Sequence, residues 1–204
     1  MSEFSPRRKP QQARSRRTWE TIVDAAADLL VEEGYHNTST NKIAERADIS
    51  VGSIYQYFPN KEAIVLAVMQ GFAERQYEIL ADGLAGLERD DLRTVVRRVI
   101  DNMLQAKRDQ PELSRVLFEQ IPPVGQHDIL RDWTDRASAL IGGALADRDD
   151  ELRELDFEMA SYILVNGCHG IVHGVVSTHQ GPFDDAKLAE ETTELVMRYL
   201  TADD

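Results

Sequence analysis

Apolar residues recur every three to four positions from Ile22 to Leu200, and this period limits what the 204-residue chain can fold into. No segment alternates apolar and polar residues as a half-buried strand would. The spacing predicts an all-α fold of about nine helices. A first helix runs from about Ser15 to Glu33, striped by Ile22, Ala26, Leu29 and Leu30, and Gly34 stops it. Thr38 and Ser39 are N-cap residues for a short helix to Ala47. Asp48-Ile49-Ser50 reads as a turn, and Ser50 caps a second short helix through Tyr57. Pro59 ends that helix, because proline disfavours helical geometry in the residue before it. Asn60 caps a longer helix to about Ala81. Further helices are expected from Asp90 to Arg108, from Pro111 to the Ile121-Pro122-Pro123 stop, and along Ile129 to Leu145. A long apolar helix is expected from Glu151 to His179, closed by Gly181-Pro182, and a last one from Asp184 or Asp185.

Composition narrows the class. At 42% hydrophobic the chain can bury a core, which excludes wholesale disorder. One cysteine, Cys168, excludes an intramolecular disulfide and suits a reducing cytoplasm. The amino-terminal stretch has no apolar core and is not a secretory signal. The most apolar run, Tyr162 to Val176, is interrupted by Asn166, His169, His173 and three glycines, which suits a buried helix better than a membrane span.

The net charge of −13 hides an asymmetry. Residues 1–62 hold nine basic and nine acidic groups, so the whole excess of acid lies in residues 63–204. Six basic groups (Arg7, Arg8, Lys9, Arg14, Arg16, Arg17) stand against Glu3 in the first 17 residues. This leader is either a solvated tail or an arm that faces a polyanion.

Residues 38–58 carry the most specific pattern. Ile43, Ala44, Ala47, Ile49, Ile54 and Phe58 account for an inward face, with small residues where two short helices would cross. Ser39, Thr40, Asn41, Val51, Gly52, Ser53, Tyr55, Gln56 and Tyr57 are left to point outward. They are small, polar or aromatic, and none is a carboxylate. A surface that meets phosphates and base edges needs this composition, since an acid would repel the duplex and bulk would block a major groove about 12 Å wide. Lys61 adds a cation at the start of the following helix.

The segment GYHNTSTNKIAERADISVGSIYQYFPNKEAI resembles the DNA-binding segment of the TetR family of bacterial transcriptional regulators. The glycine-aromatic pair, the Thr/Ser pair, Ile-Ala, Ala-x-Ile-Ser and Tyr-x-x-Phe-x-x-Lys-Glu all agree in spacing, over about Ala13 to Met69. The resemblance implies a helix-turn-helix whose second helix enters the major groove of a double-stranded, palindromic operator. It places Val51, Gly52 and Ser53 at the bases, with Asn41 reaching them from the preceding helix. Ser39, Thr40, Tyr55, Tyr57 and Lys61 match phosphate-contacting positions, Tyr55 touching a base as well, and Gln56 belongs to the same surface. Where the family usually has glycine in the turn this chain has Asp48, which tolerates the left-handed conformation better than most residues. The implied organisation is a basic arm (1–14), a DNA-binding domain (15–62) and an effector-binding and dimerisation domain (63–204).

The resemblance implies that the carboxy-terminal helices form a homodimer and enclose an effector pocket, for which a small apolar or amphipathic molecule is the default occupant. Gly167, Gly170 and Gly174 lie along one side of the long helix and permit close helix approach, either across a dimer, with Leu195 and Tyr199, or inside one subunit. Met103, Phe118, Trp133, Tyr162 and His169 either line the pocket or are ordinary core. His169 and His173 are four apart beside Cys168, but no third ligand at fixed spacing and no His-Glu-x-x-His pattern accompanies them, so neither metal nor cofactor is expected. Nothing orients a Cys-His nucleophile, which argues against an enzyme. The expected function is a cytoplasmic, dimeric, ligand-released repressor. Its rivals are a helical binding protein or enzyme that uses the carboxy-terminal pocket, and an architectural DNA binder.

Overall fold

The computed structural model describes residues 12–121, 126–177 and 184–201. The arm residues Arg7, Arg8 and Lys9, the Pro122-Pro123 stop and the Gly181-Pro182 stop lie outside these. The described residues form α1 (Ala13–Asn37), α2 (Thr40–Arg46), α3 (Val51–Tyr57), α4 (Lys61–Gly83), α5 (Leu92–Asp109), α6 (Pro111–Glu119), α7 (Gln126–Ala146), α8 (Phe157–Ser177) and α9 (Asp185–Leu200). A 3-10 turn at Asp149–Glu151 completes them, and no strand occurs among the described residues. The all-α reading is therefore correct. Two compact units result: the described residues up to Ala73 with Glu112–Ile129, and Glu74–Pro111 with the described residues from Leu130 on.

In the first unit α1 buries Ile22, Ala25, Ala26, Leu29 and Leu30, a single stripe at helical period. Gly34 breaks the helical geometry with φ 77°, one turn before the helix ends. Thr38 is not an N-cap. It is the buried C-cap of α1, and its hydroxyl donates to the Gly34 carbonyl at 2.8 Å. Ser39 caps α2, Ser50 caps α3, and the Asn60 side chain accepts from the Ala63 N–H at 2.8 Å. Each cap satisfies a donor that a helix start leaves unpaired, a contribution of about 1 kcal/mol each. Phe58, wholly buried, closes the pair of short helices and stands 5.8 Å from the Trp19 ring. Every residue of α4 from Ala63 to Met69 is buried, so this part of the helix is enclosed on all sides.

Helix α6 packs in the same unit through Leu113, Val116 and Leu117. Beyond its end, Gln120 Oε1 accepts from the Tyr35 N–H at 3.1 Å. A Cβ on Gly34 would lie 2.8 Å from that same oxygen and would displace the Gln120 amide, while the φ of 77° favours glycine there in any case.

In the second unit α5 packs on α9 and α8. Leu92, Ile100, Leu104, Val172, Val196 and Leu200 form the centre of that core. Gly83 lets the end of α4 come against α5, since a Cβ there would stand 3.0 Å from Val99. Arg98 and the buried Arg148 tie the loop between α4 and α5 by donating to its carbonyls at Gly83, Ala85, Leu87 and Asp90. Arg93 and Arg97 pair with Glu194 and Glu190 across α5 and α9, but these pairs are solvent-exposed and contribute little to stability. The long helix starts later than its apolar pattern suggests. Asp156 accepts from the Met159 N–H at 3.1 Å and so begins α8 at Phe157, leaving Glu151 in the 3-10 turn.

Asp48 adopts φ 53°, the left-handed conformation expected of the turn. Asp48→Gly should therefore raise the urea unfolding free energy by up to about 1 kcal/mol, and Asp48→Val, whose branched Cβ is worst placed there, should lower it by about 1–2 kcal/mol. Equal stability of the two variants would show that the turn relaxes elsewhere.

Candidate functional site

The turn at Asp48 sets α2 against α3 through the buried Ile43, Ala44, Ala47 and Ile54. What remains outward is the surface expected. Ser39, Asn41, Gly52, Tyr55 and Gln56 are exposed, while Thr40, Val51, Ser53, Tyr57 and Lys61 are half-buried. Tyr55 is 45% exposed, and its hydroxyl lies 3.5 Å from that of Thr40, so the two helices present their hydroxyls together. Ser50 and Ser53 share a hydrogen bond of 2.8 Å at the start of α3.

The cations nearby are unequally available. Lys42 pairs with Glu33 at 2.5 Å and Arg46 with Glu32 at 2.5 Å, both back onto α1. The Arg46 hydrogen bond holds the Glu32 carboxyl below its usual range. Lys61 donates to the Tyr35 carbonyl at 3.0 Å and sits 4.0 Å from the centre of the Tyr35 ring, so it braces the fold as well as carrying charge. Sequence reasoning missed a groove beside the turn, lined by Arg14, Arg17, Thr18, Thr21, Ala47 and Ile49. Both arginines are exposed. Their position one helical turn apart on α1 was the available signal.

The second unit encloses a cavity of about 90 Å³ with almost wholly apolar walls from α4, α5, α7, α8 and α9. Met103, Trp133 and His169 line it. Tyr162 and Phe118 do not. Tyr162 is 56% exposed on the outer face of α8, and Phe118 belongs to the first unit, edge-on to Phe72 at 6.4 Å. Aromatic content alone could not separate inner from outer faces of these helices. Leu80, Val99 and Leu164 are wall residues that sequence reasoning did not single out, because an aliphatic lining residue looks like core.

Burial governs the polar groups here. It pushes His169 down to about 4, assisted by Lys107 and His173, so its imidazole is neutral near pH 7. It pushes Lys107 down to about 8 and the Cys168 thiol up to about 11, which leaves that thiol protonated and unreactive. His169 stacks on His173 with centroids 5.9 Å apart. Among the described residues no group of three or more His, Cys, Asp or Glu is placed to hold a metal ion, and no helix is long and apolar enough to cross a membrane.

On the opposite side of α8 the glycines face outward. Gly167, Gly170 and Gly174 are exposed, and a Cβ on any of them would meet nothing within 4 Å. Met159, Tyr162 and Ile163 of α8 and Leu195 of α9 are 43–58% exposed. Tyr199 differs: it is half-buried against its own core, under the Arg153 guanidinium.

Two family descriptions match this chain. Residues 22–68 match "Bacterial regulatory proteins, tetR family", and residues 91–200, more than half the chain, match "Tetracyclin repressor-like, C-terminal domain". The chain belongs to the TetR family. It is 38% identical over 72 residues to the fatty acid metabolism regulator protein of Bacillus subtilis, covering 33% of this chain and 37% of that one. It is 32% identical over 132 residues to the transcriptional regulator RutR of Escherichia coli O157:H7, covering 60% and 59%. The match thus spans a third to three fifths of the length of these curated relatives. A TetR-family structure from Mesorhizobium loti shares the fold, with TM-score 0.74 at 19% identity over 94% of this chain and 100% of that one.

The buried His169 makes stability depend on pH. Its folded value of about 4 lies below its ordinary 6.5, so the unfolded chain takes up the proton first. The stabilising contribution is complete above pH about 6.5 and is lost as pH falls to about 4, a change on the order of 3 kcal/mol. Urea unfolding at several pH values should show a shallower loss in His169→Asn than in the unchanged chain, and parallel curves would remove His169 as the cause.

Proposed function

We propose that this TetR-family chain is a homodimeric transcriptional repressor that binds a palindromic operator and leaves it when a small apolar or amphipathic molecule enters the second unit. The observation that carries this reading is the outward surface of α2 and α3, where the hydroxyls of Thr40 and Tyr55 and those of Ser50 and Ser53 stand in pairs beside the small, exposed Gly52 and Asn41. Val51, Gly52 and Ser53 at the start of α3, with Asn41 on α2, read base edges in the major groove. Ser39, Thr40, Tyr55, Gln56 and Tyr57 fix the register on phosphates, and the exposed Arg14 and Arg17 extend that contact along α1. Lys61 contributes its remaining donors while held on Tyr35. Residues 15–62 are the DNA-binding portion, 63–204 serve effector binding and dimerisation, and the basic residues before them follow the adjacent groove.

One short helix reads only a few base pairs, so two copies must act together, their reading helices about 34–36 Å apart or a multiple of that. The exposed glycines of α8 with Met159, Ile163 and Leu195 supply the surface for pairing, since helix backbones approach closely only where side chains are small.

The cavity supplies the control. At about 90 Å³ it is smaller than the ~150 Å³ engineered cavity that accepts benzene. A ligand of even one ring must therefore move walls on α4, α5, α7 and α8, and α4 also supplies the buried run of the first unit. The ligand then favours the state in which those helices are displaced, by no more than its difference in affinity between states.

Footprinting on DNA flanking the chain's own gene, with and without a library of apolar small molecules, tests the whole reading. Protection that no compound relieves would remove the effector, and no protection of any duplex site would remove the function. Tyr57→Phe and Thr40→Ala should weaken all DNA sequences alike and flatten the salt slope, while Ser53→Ala and Asn41→Ala should change the preferred base. Equal losses from both pairs would overturn the assignment of roles.

Pairing has a separate test in Gly170→Leu. The added side chain meets open space within the subunit, so the monomer should gain roughly 1 kcal/mol of helix stability while sedimentation shows loss of the dimer. A stable dimer of this variant would place the interface elsewhere.

A further inference from the structure

The cavity in the second unit has a chemical polarity that its apolar walls conceal. No carboxylate lines it. Trp133 forms part of the wall, and its Nε1–H is buried without a hydrogen-bond partner among the described residues. A buried donor left unpaired is unfavourable, and an oxygen on a bound molecule would remove that cost. The Trp133 ring lies 5.1 Å from that of His169, which is also in the wall. Lys107, 2% exposed, stands one turn along α5 from the wall residue Met103, and its charge disfavours protonation of His169. One region therefore gathers an indole N–H, an imidazole that can donate and a buried ammonium.

We propose that this cavity selects an apolar molecule ending in a carboxylate, with the head received by Trp133 Nε1–H and His169, Lys107 as its counter-charge, and the tail among Leu80, Val99 and Leu164. The inference rests on the effector reading above and names the class of effector. Taking a carboxylate out of water is strongly unfavourable unless it is both paired with a cation and hydrogen-bonded, and this region offers both. A neutral alcohol of the same length gains the hydrogen bond but not the pairing. An alkylammonium meets Lys107 as a like charge and finds no acid in the walls.

Isothermal titration calorimetry of the full chain with octanoate, 1-octanol and octylamine at about pH 7 tests this. Octanoate should bind at least about tenfold more tightly than octanol, the range expected for a charge-assisted over a neutral hydrogen bond, and octylamine should give no binding heat. Lys107→Met should weaken octanoate about tenfold or more while leaving octanol within about threefold, and Trp133→Phe should weaken both, octanoate by about tenfold or more and octanol by less. Should either variant fail to fold, Trp19→Phe leaves Trp133 as the sole indole, and its emission should shift on octanoate addition with the calorimetric affinity. An unmoved emission, or octanol matching octanoate, overturns the head-group assignment and leaves the effector cavity standing. Binding of none of the three overturns the inference, and the effector reading is then decided by release of the footprint.

Discussion

The burial of Phe58 holds the amino-terminal unit together. It is the C-cap of α3, sits beside Trp19, and has the extended geometry that Pro59 imposes on the residue before it. With it in place, Ile54 faces inward and Tyr55 and Gln56 cannot. The outward surface is therefore the complement of the buried Ile43, Ala44, Ala47, Ile54 and Phe58, and the helical period converts that packing into a polar face.

Much of this was legible in the sequence because local chemistry specified it. Ser39, Ser50 and Asn60 cap where short polar side chains at helix starts should, and Asp48 takes the left-handed turn geometry. Thr38 was misread because two adjacent hydroxyl residues both suit an N-cap, and only burial against the end of α1 separates them. The start of α8 was placed too early because Leu152 and Leu155 continue an apolar pattern that the Asp156 cap overrides. The cavity was the least legible feature. Its walls are aliphatic side chains whose spacing is that of any core, and Tyr162 looked equally inward until the fold placed it at the surface.

Charge follows the same division. Lys42 and Arg46 are neutralised by α1, so the basic character of the first unit is concentrated at its amino-terminal end, near Arg14 and Arg17. In the second unit arginines are spent on carbonyls and on acids of α9, which leaves the acidic excess of that part of the sequence outside its core.

The return of residues 112–129 to the first unit has a consequence for modularity. Gln120 fills the space that Gly34 keeps open and takes the Tyr35 amide, so the amino-terminal head is completed by a segment from the middle of the chain. Heads of this kind cannot be exchanged between relatives as a simple leading fragment. A leading fragment cut before Glu112 would arrive with an unfilled notch at Gly34 and a Tyr35 amide without its Gln120 acceptor.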